Sequence, residues 1–256
     1  MKISELIKVI NAITPFELAF DDDKVGLLIG SEDNEISEIL VAHDLENSVL
    51  EHVLNNNVNT VISYHPVPMK QSLNEEGEYV DELTGLSLEF EKEKINVITV
   101  HTAQDVKNNG NAEALVDLFN ITDVKVFANS SEEYGAGRIG NIDKISTDEF
   151  LKLVEEKLNT KVIRTNSHYG KLKEISKLAI LPGSGTQFVD EIINEADVFL
   201  TGDISHRYYL LADDNKLGLV QINHISTEIP GMSKFAKEIS EELNIRVEYF
   251  YNKNYE

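Results

Sequence analysis

Three histidines of this sequence follow short apolar runs. They are His65 after residues 58–62, His101 after residues 96–100 and His224 after residues 217–222. Short runs that are rich in β-branched residues are typical of strands, and Pro66 ends the first one because proline lacks a backbone donor. Ligands of open α/β sheets bind at the carboxyl ends of strands. We therefore expect the three imidazoles to lie where chemistry takes place.

Two of these histidines are followed by a carboxylate four residues further along the chain, namely Asp105 after His101 and Glu228 after His224. Imidazole together with carboxylate suits Zn²⁺, Fe²⁺, Mn²⁺ or Co²⁺. Each carboxylate also has a structural interpretation, since Asp105 precedes an asparagine-rich turn and Glu228 falls in the first turn of a predicted helix. The spacing alone leaves both interpretations open.

Other residues are weaker candidates for the same kind of site. His206 begins a predicted helix and could approach the pocket, although a capping or surface role fits equally well. Residues 183–185, Gly-Ser-Gly, could hold an anion through backbone amides or simply form a tight turn. His43 also ends a predicted strand, and Asp44 beside it is a further carboxylate candidate.

Strands alternate with helices along the whole sequence, which predicts the α/β class. Residues 38–62 predict a β-α-β unit with parallel strands. Residues 73–94 are charge-rich and have mostly helical character, whereas residues 120–145, with glycines at 135, 137 and 140, have the composition of a loop. We place a soft boundary there, between lobes at residues 1–125 and 126–256.

Composition limits the classes of function. The 256 residues carry 23 basic and 45 acidic side chains, a net charge of −22, which argues against general nucleic-acid binding. A phosphorylated substrate would need local positive charge, which a metal can supply. No apolar run approaches the ~18 residues of a membrane helix, and the first residues lack the apolar segment of a signal peptide. Without any cysteine, a cytoplasmic protein is the simplest interpretation.

Several separated motifs, in this order, resemble the Nif-three-like dinuclear metal-centre family, often named GTP cyclohydrolase 1 type 2 homologs. The motifs are VGL at 25–27, SYHP at 63–66, HTAQD at 101–105, GRIG at 137–140, GSG at 183–185, DVFLTGD at 197–203 and HISTE at 224–228. The resemblance implies two α/β lobes with two divalent metals in the cleft between them, and the donor residues make Zn, Fe or Mn the expected metal. It also implies a ring-shaped homohexamer.

Ligands follow from the same resemblance, motif by motif. His65 and Asp105 would hold a first metal, His224 a second, and Glu228 would bridge both, with His101 at the edge. Family members usually have two adjacent histidines before the proline, whereas this chain has Tyr64 in the place of one ligand. A neutral phenol with a pKa of about 10 is a poor ligand. We therefore expect one firm metal and one partial metal.

The resemblance and the donor residues favour metal-assisted hydrolysis of a nucleotide-like or phosphorylated small molecule. In that interpretation His101 or His206 would move protons. The alternative is a non-catalytic metal-binding ring or a scaffold for a partner, which Tyr64 favours. A third hypothesis is a structural protein that binds no metal, in which case the strand-end histidines are purely structural.

Overall fold

The computed structural model describes residues 1–74 and 76–253, in which helices alternate with strands. The α-helices of this part are α1 (Ile3–Ile13), α2 (Asn47–Asn55), α3 (Leu86–Lys92), α4 (His101–Val106), α5 (Asn111–Phe119), α6 (Thr147–Lys157), α7 (Val189–Ile192), α8 (His206–Asp214) and α9 (Ile229–Leu243). Its strands are β1 (Gly26–Ile29), β2 (Ile39–Ala42), β3 (Thr60–Ser63), β4 (Met69–Leu73), β5 (Tyr79–Leu83), β6 (Asn96–Thr99), β7 (Thr122–Asn129), β8 (Gly135–Ser146), β9 (Arg164–Thr165), β10 (Glu174–Ser184), β11 (Val198–Asp203), β12 (Gly218–Gln221) and β13 (Glu248–Phe250). The α/β class predicted from the sequence is confirmed.

The chain divides into two compact units. The first contains Met1–Gln104 and Phe235–Asn252, and the second contains Asp105–Lys234 and Lys253. Local signals in the sequence explain individual elements. In α1 the apolar residues Ile3, Leu6 and Ile10 recur at helical spacing, and all three are fully buried.

In the first unit, the described strands β1, β6, β3, β2 and β13 form one sheet in that order. Strands β6, β3, β2 and β13 are parallel, and β1 pairs antiparallel with β6. The predicted β-α-β unit is confirmed as β2, α2 and β3. Ser63 and Thr99 are paired in register at the ends of β3 and β6, and their hydroxyl oxygens are 2.7 Å apart. The residues that follow these two strands therefore emerge side by side.

In the second unit, the described strands form a sheet with the order β7, β8, β10, β11, β12, β9. Strands β10, β11 and β12 are parallel, while the pairs β7–β8, β8–β10 and β12–β9 are antiparallel. The core beside this sheet combines strand residues such as Leu178 and Leu200 with helix residues such as Leu115 and Phe150, all fully buried.

The prediction of a loop over residues 120–145 was wrong, because β7 and β8 form a long antiparallel pair there. The glycines permit close packing of the two strands. A Cβ on Gly137 would lie 2.4 Å from the ring of Phe127, and a Cβ on Gly140 would lie 2.3 Å from the carbonyl oxygen of Thr122. Glycine here marks the close approach of two backbones rather than a turn.

The helical prediction for residues 73–94 was wrong in its first half. Strands β4 and β5 form a two-stranded antiparallel hairpin, and a helix, α3, begins only at Leu86. Asn74 closes the turn, since its side-chain oxygen accepts from the amide of Glu78 at 2.8 Å and its carbonyl from Gly77 at 3.0 Å. Charged composition fits an exposed strand as well as an exposed helix, so it did not distinguish them. Residue 75 of this segment lies outside the described part.

No helix among the described residues is both long and apolar enough to cross a membrane.

Candidate metal centre

His65 lies two residues beyond the end of β3 and is oriented by a carboxylate. Its Nδ1 is 2.7 Å from Oδ1 of Asp44, which follows the neighbouring parallel strand β2. Because a carboxylate can only accept a hydrogen bond, Nδ1 carries the proton. Nε2 is then the ring atom that would bind a metal, and a carboxylate behind a ligand histidine is the usual supporting arrangement. The weak candidate Asp44 thus has a defined contact.

Three imidazoles and one phenol form a cluster in the first unit, which we call the histidine cluster: His43, Tyr64, His65 and His101. The ring centroid of His43 is 5.0 Å from those of Tyr64 and His65, and that of His101 is 5.7 Å from both. His43 and Tyr64 are each 1% exposed. Nδ1 of His43 shares a hydrogen bond of 2.7 Å with the Tyr249 hydroxyl. His43 therefore belongs with the strand-end histidines, which its sequence position left unclear.

His101 is held by Asp23, a residue that the sequence placed in an ordinary polar loop. Nδ1 of His101 is 2.8 and 2.9 Å from the two carboxylate oxygens, and the amide of Thr102 donates to the same carboxylate at 3.1 Å. Burial opposes ionisation of Asp23, but these donors and the charge of His101 hold its pKa below the usual value. The backbone of His101 has φ +24°, a strained conformation for a residue with a side chain.

The second unit carries a compact group that we call the His224 group: Asp203, His224 and Glu228. Nδ1 of His224 lies 2.6 Å from Asp203 Oδ2, and Nε2 lies 3.1 Å from Glu228 Oε1. Burial by itself would lower the pKa of His224, but the two carboxylates raise it to about 10. Without a metal, both ring nitrogens therefore carry protons. The Asp203 contact was not predicted, although DVFLTGD was a motif of the resemblance.

Gly183 leaves the space in which Glu228 and His224 meet. Its φ is +69°, and a Cβ on it would lie 2.5 Å from Glu228 Oε1 and 3.3 Å from His224 Nε2. The amide of Gly183 donates to Thr227 Oγ1 at 2.7 Å. That amide therefore donates its hydrogen bond to the HISTE segment and not to a bound anion. The hypothesis of an anion held by the backbone of residues 183–185 gains no support.

Asp105 is almost fully buried, 8% exposed, near the end of α4. Its Oδ1 accepts from the side-chain amide of Asn111, the first residue of α5, at 2.8 Å. Gly231 makes room for Asn111, since a Cβ there would lie 2.1 Å from Asn111 Oδ1. The carboxylate is thus positioned by packed side chains rather than by a surface turn.

Two other sequence candidates have different surroundings. His206 is the first residue of α8, and its side chain is exposed. Arg138 of the GRIG motif is 1% exposed, and its guanidinium donates to Glu113 at 2.7 Å and to the carbonyls of Gly135 and Gly137 at 2.6 and 2.8 Å. Arg138 therefore holds β8 and α5 together.

The donor chemistry of both units fits a divalent cation. Ligands at about 2.1 Å from a tetrahedral ion lie roughly 3.4 Å apart, close to the 3.1 Å between His224 Nε2 and Glu228 Oε1. The side chain of Glu228 is 2% exposed, and a buried carboxylate needs a compensating positive charge. The protonated His224 supplies that charge here, and a divalent cation would supply it in place of the Nε2 proton. Any side chain at Gly183 would crowd both of these atoms, and in the first unit Nε2 of His65 is the ring nitrogen opposite its supporting carboxylate, Asp44.

These features define an α/β protein with imidazole and carboxylate groups gathered at the carboxyl ends of parallel strands. The chain belongs to the Duf34/NIF3 (NGG1p interacting factor 3) family, whose profile matches residues 1–255. The family suggested by the separated motifs is thereby confirmed. A Methanocaldococcus jannaschii protein named GTP cyclohydrolase 1 type 2 homolog is 31% identical over 253 residues, which cover 96% of this chain and 98% of that protein.

Solved structures show the same fold. Reduced HcgD from Methanocaldococcus jannaschii matches with a TM-score of 0.80 and 28% identity, covering 97% of both chains. Staphylococcus aureus protein SA1388 matches with a TM-score of 0.81 and 25% identity, covering 99% of this chain and 98% of that chain. The similarity therefore spans both units.

Proposed function

We propose that this protein binds a divalent metal through imidazole and carboxylate groups and uses it to hydrolyse a nucleotide-like or phosphorylated small molecule. The observation that carries the proposal is the His224–Glu228 pair. A carboxylate is buried 3.1 Å from an imidazole nitrogen, beside a glycine whose missing side chain leaves room around both atoms. Gly183 thereby permits the close approach of carboxylate and imidazole that binding a shared cation also requires.

The proposed ligands follow the family motifs. By the family resemblance, His65 and Asp105 would hold one metal, His224 would hold a second, and Glu228 would contribute to both. His43 joins the set because its ring lies 5.0 Å from that of His65. Zn, Fe and Mn all accept this mixture of nitrogen and oxygen donors.

Tyr64 makes the second metal the weaker one. It stands where the family usually has a second histidine, and it is buried against the rings of His43 and His65. A neutral phenol, with a pKa of about 10, is a poor ligand, and only the phenolate binds a metal well. We therefore expect about one metal per chain.

When bound, a divalent cation supplies Lewis-acid chemistry at a phosphoryl or carbonyl oxygen. The chain's own contribution to proton transfer comes from His101. Asp23 holds the proton on Nδ1 of His101, which leaves Nε2 to accept or donate a proton during hydrolysis. His206 is the second candidate for this role, from the first turn of α8.

The name of one relative supports a nucleotide-like substrate, and the charge of the chain sets a condition for the recognition of any anionic substrate. The Methanocaldococcus jannaschii relative carries the name GTP cyclohydrolase 1 type 2 homolog, which refers to nucleotide chemistry. The net charge of −22 would repel an anionic substrate at long range, so recognition of such a substrate requires the local positive charge of a metal.

The second candidate function is a non-catalytic metal-binding ring or scaffold, and Tyr64 is the observation that favours it. A ring of six copies is part of both proposals, and the mass of the protein in solution tests it. Screening nucleotides and phosphoesters for turnover with added Mn²⁺, Zn²⁺ and Fe²⁺ separates the two functions. Turnover that the Glu228→Ala variant loses supports the hydrolase, while activity no higher than in that variant supports the scaffold.

The metal proposal is tested by elemental analysis of protein purified without a tag or chelator, for the natural chain and Tyr64→His. We expect about one metal in the natural protein and about two in the variant. Tyr79→His is the matched control, because Tyr79 is 74% exposed on β5 and the same change there adds no ligand to the site. No metal in any of the three, even after incubation with Zn²⁺ and Mn²⁺, would refute the proposal.

A further inference from the structure

A cavity of about 480 Å³ lies in the second unit at the carboxyl ends of three adjacent parallel strands. Its lining includes the final residues of β10, β11 and β12, which are Ser184, Asp203 and Gln221. Ligands of α/β sheets bind at this edge, and the volume is that of a small-molecule pocket. We call it the Gln221 cavity.

Hydrogen-bonding side chains without charge make up most of the lining. They are Ser184, Thr186, Gln187, Ser205 and Gln221. The Thr186 hydroxyl already makes two hydrogen bonds within the protein, since it donates to the carbonyl of Asp203 at 3.0 Å and accepts from the amide of Ser205 at 3.1 Å. In the described ranges, no protein hydrogen bond engages the side chains of Ser184, Gln187 or Ser205. These three can therefore turn toward a ligand.

Gln221 is the fixed element of the cavity. Its Oε1 accepts from the Tyr209 hydroxyl at 2.6 Å, and the Arg164 guanidinium stacks 4.0 Å above the Tyr209 ring. With the carbonyl side of the amide held in this way, the Nε2 group is presented as an oriented pair of donors. A carboxamide held in this way is preorganised to donate a hydrogen bond to one edge of a ligand.

Asp203 connects the cavity to the His224 group. One of its carboxylate oxygens accepts from His224 Nδ1 at 2.6 Å, and Asp203 is also one of the residues that line the cavity. A carboxylate repels phosphate but accepts hydrogen bonds from hydroxyl groups, as acidic residues at this edge of a sheet do with ribose. The cavity thus favours a neutral group that is rich in hydroxyl and amide-like donors and acceptors.

We propose that the Gln221 cavity binds the neutral sugar and base of a nucleoside, with Gln221 as the residue that determines specificity. The proposal rests on the proposed function, because it names the part of a nucleotide-like substrate that this edge of the second unit holds. Phosphate groups are excluded from the cavity by Asp203. Gln221 donates to an acceptor of the base, and Tyr209 is a positioning residue for Gln221.

The test is titration calorimetry of the whole protein with adenosine, guanosine and inorganic phosphate, in metal-loaded and chelator-treated samples. We expect at least one nucleoside to bind in both samples, because the cavity is built from side chains alone. Gln221→Leu should weaken that binding about tenfold, since one oriented hydrogen bond is lost. Tyr209→Phe should weaken it several-fold, because the amide is no longer held. Gln71→Leu, the same change at an exposed residue of β4, should have no effect.

The outcomes separate this inference from the proposed function. Failure of both nucleosides to bind at millimolar concentration, or equal binding by the natural protein and Gln221→Leu, would overturn the inference even if metal is present. Nucleoside binding that is sensitive to Gln221, in a protein that never takes up metal, would support the cavity and refute metal-dependent hydrolysis. Because Tyr209→Phe keeps the ring and its contacts, weaker binding in that folded variant would support the inference if Gln221→Leu does not fold.

Discussion

Replacing Gly183 by alanine should disturb the His224 group specifically. The new Cβ would lie 2.5 Å from Glu228 Oε1, where ordinary contacts begin at 3.4 Å. The carboxylate must therefore move by about 0.9 Å, the difference between these two distances, or the backbone must yield. Either response breaks the 3.1 Å contact with His224 Nε2. The positive φ of +69° at this position also destabilises alanine relative to glycine.

Two effects contribute to the expected loss of stability. The left-handed backbone costs an alanine roughly 1 kcal/mol relative to glycine. The lost hydrogen bond between charged groups adds about 1.5–3 kcal/mol. In metal-free protein we therefore expect a decrease of about 2.5–4 kcal/mol in the free energy of unfolding. Displacing a ligand or its support typically lowers metal affinity 10- to 100-fold, so the metal content after dialysis should also fall.

Gly77→Ala is the matched control, because Gly77 has φ +80° and no atom of the described residues lies within 4 Å of the position of a new Cβ. This variant also places an alanine at a positive φ, but its new Cβ does not clash with a neighbouring side chain. Urea unfolding of both metal-free variants measures the difference, and elemental analysis measures the metal. An equal loss of stability in the two variants, with unchanged metal content in Gly183→Ala, would refute the assignment of Gly183 as the space for the Glu228–His224 pair.

Three further predictions concern other parts of the chain. Asp23→Asn should destabilise the metal-free protein at pH 7. The pKa of Asp23 is lower in the folded protein than in the unfolded chain. The ionised carboxylate therefore stabilises the protein above the unfolded pKa, and this stabilisation is lost as pH falls through the folded pKa. Urea unfolding at pH 3 should therefore show a smaller difference in stability between the natural protein and Asp23→Asn than at pH 7. Arg138→Ala should cost about 3–5 kcal/mol in thermal unfolding, because it leaves buried partners unpaired, whereas Lys144→Ala on the exposed end of β8 should cost less than about 1 kcal/mol. Gly137→Ala should cost about 1–3 kcal/mol through its clash with the Phe127 ring, while Gly170→Ala, which has open space, should be nearly neutral. An Arg138 variant as stable as the Lys144 control would contradict the role assigned to that guanidinium.

The strand-end histidines illustrate which features of the fold and site can be predicted from the sequence. The alternation of strands and helices predicted the α/β class, apolar runs of strand length placed His65, His101 and His224 at strand ends, and a carboxylate follows two of them at the same spacing. The class, the β-α-β unit and the family were confirmed. These inferences succeed because the periodicity and the direction of a strand are local properties, which a short window of consecutive residues determines.

Contacts between residues far apart in the chain were not accessible in this way. Asp23 holds His101 across 78 positions, Asp44 holds His65 across 21, and Asp203 holds His224 across 21. Asp23 belongs to a polar segment with the composition of an ordinary loop, and Asp44 and Asp203 lie at strand ends without any local sign of the histidine that each one contacts. The glycines of β8 likewise looked like turn residues until their contacts with β7 were known.

The sequence by itself therefore determined which side chains could do chemistry, which strands end beside them and to which family the motifs point. Only the tertiary structure decided how each imidazole is oriented, that Gly183 provides space for Glu228, and that three parallel strands end at one cavity. The physical reason is that orientation and space depend on packing between distant segments, whereas residue type and periodicity are fixed along the chain.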